Sequence, residues 1–224
     1  MKNITLLISL ALLVLSCKLD TKKEREEVKT PLSVSEKIAN AYGFENWDNV
    51  SEIAFTFNVD RDSSHFERSW KWHPKTNNVL MISGQDSIQF NHKQVDSLST
   101  SVDRSFINDK FWLLVPFQLE WDQSASISEA YKAEAPISKT LLNKITLTYP
   151  DNGGYTPGDA YDIFYNDNFL IEEWVYRKSN SETPSLITTW ENHQDFNGIK
   201  IGLDHIKSEG NWKLYFTNIK VTIN

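Results

Sequence analysis

The chain has 224 residues, of which 40% are hydrophobic and 24% charged, a length for one large or two small globular domains. This composition excludes a disordered chain, and a formal charge of −7 without a basic stripe excludes a nucleic-acid binder. Eight Trp, eight Tyr and twelve Phe make an unusually heavy aromatic load that must be either buried or used.

The N-terminal stretch MKNITLLISLALLVLSC has one Lys, an apolar run from Ile4 to Leu15 and a small residue before Cys17. That is the layout of a secretory leader, and it is too short to span a bilayer as a helix. Val14-Leu15-Ser16-Cys17 resembles the bacterial lipobox. The resemblance implies that 1–16 is a lipoprotein signal peptide, cleaved before an acylated Cys17; the plain alternative is an ordinary leader followed by a chance cysteine. Cys17 is the only cysteine, so it has no internal disulfide partner, and acylation accounts for an otherwise unpaired thiol in an exported chain. Each buried methylene of an acyl chain contributes about 0.8 kcal/mol, so a multiply acylated cysteine anchors the protein to a membrane without a transmembrane helix. Residues 18–30, KLDTKKEREEVKT, mix charges of both signs and carry little to bury, so 17–30 reads as the lipidated Cys plus a flexible tether. Lys18 stands where an acidic residue would favour inner-membrane retention, which points to the outer membrane and leaves the face open.

The folded part begins near Pro31, giving one β-rich domain over 31–224. SVSE (33–36) is a capping box for a helix whose Val34, Ile38, Ala41 and Tyr42 share a face, with Gly43 as its stop. IAFTFNVD (53–60) then alternates, with Ile53, Phe55, Phe57 and Val59 on one side. HFERSWKW (65–72) places Phe66, Trp70 and Trp72 on one face with Arg68 among them. PKTNN (74–78) is a turn, and VLMI and SIQF follow, split by Ser83-Gly84. The alternation breaks at DRSFINDKFWLLVPF (103–117), which predicts a short helix ended by Pro116. Residues 118–140 are ambiguous, with SISEAYKA (126–133) readable as a short capped helix or a mobile loop. Strands are expected at 144–149, 160–165, 170–176, 186–194, 199–206 and 212–223, with turn signals at Asn197-Gly198 and Glu209-Gly210-Asn211. The fold class is therefore mainly β with a few helices. It should be a single curved antiparallel sheet of about ten strands, a half-barrel or open barrel, with short helices covering its open side.

Several stretches carry a resemblance. They are the helix with AYG, the aromatic strand completed by Trp47 and Val50, Trp70-x-Trp72-x-Pro74, NDKFWLLVPF (108–117), YPDNGGYTPGDAYD (149–162) and EWVYR (173–177). Together they look like an uncharacterised family of Gram-negative lipoproteins, a domain of unknown function. That family is in turn more weakly similar to the outer-membrane lipoprotein-sorting (LolA/LolB-like) superfamily. The resemblance implies a curved antiparallel sheet around a helical lid, with acyl chains held in the hollow.

The residues themselves supply no catalytic set. GGYTPG lacks the GxxxxGK[ST] pattern and the strand–loop–helix context of a phosphate loop, and reads as turn chemistry opening a strand. Asp159 and Asp162 are three apart, on opposite faces of an expected strand, as are the adjacent Glu172 and Glu173. His193 and Asp195 lie near a hairpin end with Asp204 and His205, where exposed polar residues are the simpler reading than a metal site. No cofactor or metal is expected. The aromatic positions Phe55, Phe57, Trp70, Trp72, Trp174, Tyr176 and Trp190 could be plain core, or could line an open apolar concavity together with Arg68, which would meet an anionic head group or an acidic neighbour such as Glu172. Tyr155, Asp159 and Tyr161 would form its rim. The reading that follows is a cell-envelope lipoprotein binding a lipid or other hydrophobic ligand. The alternatives are a ligand-free envelope scaffold, or a hydrolase of envelope glycans or lipids using Asp159, Asp162 or His193.

Overall fold

A computed structural model describes residues 31–224; the expected leader 1–16, Cys17 and the tether 17–30 lie outside the described residues. The first helix, α1 (Val34–Ala41), starts as its sequence dictates. Ser33 accepts the Glu36 backbone N–H at 3.1 Å, and the Glu36 carboxylate accepts the Ser33 N–H at 2.7 Å. A cap of this kind stabilises a helix by about 1 kcal/mol. Gly43 ends the helix at φ +86°, and an added Cβ would lie 1.8 Å from the Gly198 carbonyl oxygen, so only glycine fits there.

Thirteen strands follow, more than the ten or so expected: β1 (Val50–Arg61), β2 (Ser64–His73), β3 (Asn78–Ser83), β4 (Asp86–Asn91), β5 (Ser126–Ile127), β6 (Tyr131–Glu134), β7 (Leu141–Thr148), β8 (Ala160–Tyr165), β9 (Ile171–Arg177), β10 (Leu186–Thr189), β11 (Glu191–Phe196), β12 (Ile199–Ile206) and β13 (Trp212–Ile223). All pair antiparallel, and the curved arrangement is an open half-barrel that does not close. Its hydrogen bonding runs as two ladders, β11-β12-β13-β1-β2-β3-β4 and β10-β9-β8-β7-β5, with β6 also paired to β7. The expected strand 186–194 is where the ladders meet: it breaks at Trp190, pairing with β9 before the break and β12 after it. The hairpin at Asn197-Gly198 has both residues at positive φ, +55° and +83°, the conformation that this dipeptide favours between twisted strands.

The second helix departs from expectation. It is α2 (Thr100–Trp121), 22 residues long, and Pro116 lies inside it. Proline has no N–H and its ring crowds the preceding turn, so the chain kinks, with Leu114 at φ −129° and ψ +30°, and then continues. Packing overrides the break: Phe111 through Phe117 are buried in an unbroken run, and a helix apolar on every side belongs in an interior. Phe106 meets Trp70 and Trp72 of one ladder, while Phe111 and Trp112 meet Trp174 of the other. The helix thus fills the hollow between the ladders. Residues 126–133 form no helix; Ser126–Ile127 and Tyr131–Glu134 pair with β7 on either side of a three-residue connection, and Ala133, Ala135 and Leu142 roof a small apolar cluster over Phe164 and Val175.

Candidate functional site

Period-two alternation points Phe57, Val59 and Arg61 of β1 to the concave side, opposite Phe216, Leu214 and Trp212 of β13. From the other ladder come Tyr161 of β8, Trp174 and Tyr176 of β9 and Leu186 of β10. Asn108, Phe111 and Trp112 of α2 and Tyr155 and Thr156 of the β7–β8 loop complete the wall. Together these residues enclose a cavity of about 350 Å³, open on one side.

The β7–β8 loop owes its shape to its turn residues. Tyr149 N–H donates to the Asp159 carbonyl and Gly158 N–H to the Pro150 carbonyl, both at 2.9 Å, which closes the loop at its base. Gly154 sits at φ +78°, where a Cβ would come within 2.4 Å of the Tyr149 ring, so the chain can pass over Tyr149 only as glycine. This brings Tyr155 down onto Phe111, ring on ring at 3.8 Å and 9°. The loop is a shaped connection at the cavity mouth.

Each rim phenol is tied down. Tyr155 donates to Asn108 Oδ1 at 3.1 Å, Tyr176 donates to Asp159 Oδ2 at 2.8 Å, and Tyr161 shares a hydrogen bond with Thr156 at 2.9 Å. Burial, with Asp159 adding to it, pushes the Tyr176 phenol up to about 12, and burial raises Tyr155 and Tyr161 as well, so all three present neutral rings. Asp159 stands behind Tyr176, its other oxygen accepting the Ser179 N–H at 2.7 Å.

The expected site residues therefore divide. Phe57, Trp174, Tyr176, Tyr155 and Tyr161 line the cavity. Phe55, Trp70, Trp72 and Trp190 are closed core, none more than 6% exposed. Arg68 is committed elsewhere: its Nε and Nη2 donate to the two oxygens of Asp109 at 2.5 and 2.6 Å, and Trp70 Nε1 donates to Asp109 Oδ2 at 2.8 Å. Its acidic partner is Asp109 and not Glu172, which instead accepts the Asn166 amide. Burial pushes the Asp109 carboxyl up, opposed by the Arg68 guanidinium and the Asn108 and Trp70 donors. The pair fixes α2 to β2.

Asp162, Asp159 and His193 have separate partners. Asp162 faces Lys144 and Arg177 at 3.1 and 3.3 Å and accepts from Thr146, while His193 Nε2 bonds the Tyr42 hydroxyl at 2.8 Å. Among the described residues there is no group of three His, Cys, Asp or Glu placed to hold a metal, and no helix long and apolar enough to cross a membrane.

Sequence reasoning missed Val59, Arg61, Asn108, Phe111, Trp112, Thr156, Leu186, Trp212 and Leu214. The β1 alternation extends without a break from Phe57 to Arg61, so Val59 and Arg61 carried a signal; the α2 residues needed the tertiary position of their helix.

No protein-family model matches the chain, and no curated protein matches it. Solved structures are similar to it. A LolA superfamily protein from Nitrosomonas europaea is 10% identical, with 86% of this chain and 96% of that one covered at a TM-score of 0.52. A DUF1329 family protein from Desulfovibrio piger is 9% identical, with 85% and 92% covered at 0.49. A domain described as an outer membrane lipoprotein-sorting protein, from Vibrio parahaemolyticus, is 7% identical, with 84% and 93% covered at 0.45. The weaker resemblance stated from the sequence, to the LolA/LolB-like superfamily, thus holds at the level of fold.

Proposed function

We propose that the protein is an exported lipoprotein, anchored through acylated Cys17 to the outer membrane, that holds a hydrophobic or amphipathic ligand non-covalently. The observation that carries the reading is the open cavity of about 350 Å³ walled by Phe57, Phe111, Trp112, Tyr155, Tyr161, Trp174, Tyr176 and Trp212. Its size falls at the small end of ligand sites, about 300–1,000 Å³, and its lining has their usual character of aromatic faces with a few placed polar groups. The rim hydroxyls are already paired within the protein, so the walls offer ring surface more than free hydrogen bonds. The shared fold of the LolA superfamily protein is consistent with this use, as an analogy of architecture.

Among the described residues the hydrophobic core is contained in the compact unit Leu32–Asn224, which supports studying residues 31–224 without the anchor. Purified 31–224 is expected to carry a co-purified amphiphile in native mass spectrometry and to bind a fluorescent fatty acid saturably, one per chain. A protein that holds no species and takes up no probe contradicts the proposal and leaves the ligand-free scaffold as the reading.

A further inference from the structure

The cavity does not end at its apolar walls. Two further hollows, each of about 310 Å³, adjoin it: one shares Phe57, Val59 and Arg61 with it and extends to Ser64 and Phe66, and the other shares Arg61, Leu186 and Trp212 and extends to Lys207 and Glu209. Arg61 is the one residue that lines all three. The concave face of β1 thus runs from aromatic at Phe57, through aliphatic at Val59, to cationic at Arg61. Its neighbours across the sheet are Phe216 and Arg68 beside Phe57, Leu214 and Phe66 beside Val59, and Trp212 and Ser64 beside Arg61.

Two guanidiniums therefore sit two rows apart on one face, and their fates differ. Arg68 is neutralised by Asp109, whereas Arg61 has no ion-pair partner among the described residues. Asp62 and Glu209 line only the outer hollow, together with Lys207; the central cavity and the Phe66 hollow contain no charged side chain except Arg61. Size restricts the occupant as well. At about 30 Å³ per water-sized group, the central cavity by itself holds about a dozen non-hydrogen atoms, the size of one medium-length chain.

Resting on the ligand-binding reading above, we infer that the ligand is a single-chain amphiphile with an anionic oxygen head group. Its chain lies among Phe57, Trp112 and Trp174, and its carboxylate or phosphate meets Arg61 at the junction with the Phe66 hollow. A guanidinium suits either head group, because its planar fork can donate two parallel hydrogen bonds to paired oxygens.

The test is a calorimetric titration of 31–224 with four twelve-carbon amphiphiles: dodecanoate, dodecyl phosphate, methyl dodecanoate and dodecyltrimethylammonium. The anionic pair is expected to bind about tenfold more tightly than the ester, with the advantage shrinking as salt is raised. Arg61→Met should bring both anions to the level of the ester. Arg61→Lys should retain part of the preference, and Arg104→Met, on the exposed side of α2, should alter nothing. The tighter of the two anions assigns the head group as phosphate or carboxylate. Saturable binding of anion and ester with equal affinity overturns the head-group assignment while leaving the cavity proposal standing. Tighter binding of the ammonium compound also overturns it, and failure of all four to bind removes both proposals.

Discussion

The Asp109→Asn substitution keeps the side-chain shape and removes the charge that joins α2 to β2. Asp109 is fully buried and accepts from Arg68 twice, from Trp70 Nε1 and from the Asn108 amide. An asparagine in its place has one acceptor oxygen, and its NH₂ group faces a donor. Removing one partner of a buried pair costs about 3–5 kcal/mol, because the other charge is left without compensation. The Arg68 side chain is 18% exposed, so water reaches part of the guanidinium, and the lower end, about 3 kcal/mol, is the expected loss. For a domain of this size each kcal/mol moves Tm by about 2–4 °C, so the melting temperature should fall by about 6–12 °C. Urea unfolding followed by tryptophan fluorescence, together with calorimetry, measures both quantities. The double variant Asp109→Leu with Arg68→Met should lose less than Asp109→Asn, because it strands no charge. A loss below about 1 kcal/mol for Asp109→Asn, or a double variant that is the less stable of the two, would refute the assignment of this pair as the clamp on the helix.

Gly43→Ala should destabilise the domain by more than about 2 kcal/mol, since it combines a left-handed backbone with a Cβ inside contact distance of the Gly198 carbonyl. Gly84→Ala, also at positive φ but in open space, should cost only about 1 kcal/mol in the same denaturation assay. His205 is buried among Trp112, Trp190 and Phe216, and burial lowers its pKa from 6.5 to about 3. Between those values the unfolded chain binds a proton that the folded chain refuses, so stability is lost as pH falls from 6.5 toward 3, by up to about 1.4 kcal/mol per unit. The difference in unfolding free energy between the parent and His205→Phe should therefore vary across that window, and a constant difference contradicts the buried neutral imidazole. Full-length protein expressed in a Gram-negative host should show a mature N-terminus at Cys17 bearing acyl groups by mass spectrometry. Cys17→Ala should lose them and its membrane association, and an unmodified mature cysteine argues against the anchor.

What could be read from the chain was local. The Ser33/Glu36 box, the alternation of β1 and the Asn197-Gly198 turn depend on near neighbours, and each formed as its residues specify. Two local readings were overridden by packing. Pro116 would end a solvated helix, yet the buried run Phe111–Phe117 holds α2 together across the kink. Residues 126–133 have weak strand character alone and become strands because β7 offers them a free edge. The site needed longer range still. The acid that claims Arg68 is 41 residues away, and Trp174 lines the cavity while Trp190, with the same aromatic signal, is closed core at the junction of the ladders. Only the relative placement of two ladders and one helix separates those roles.

Location of the bound chain is the most direct measure of the central claim. The cavity wall contains Trp112, Trp174 and Trp212, so a dodecanoate brominated at its terminal carbon should quench their fluorescence when bound. Titration of 31–224 should show saturable quenching at one equivalent. The quenching should be reduced when Trp174 is replaced by Phe, and reduced further when Val59→Trp, itself monitored by native melting temperature, occupies much of the cavity. Quenching that never saturates, or that persists at full strength in Val59→Trp, would show that the ligand is not held between the ladders.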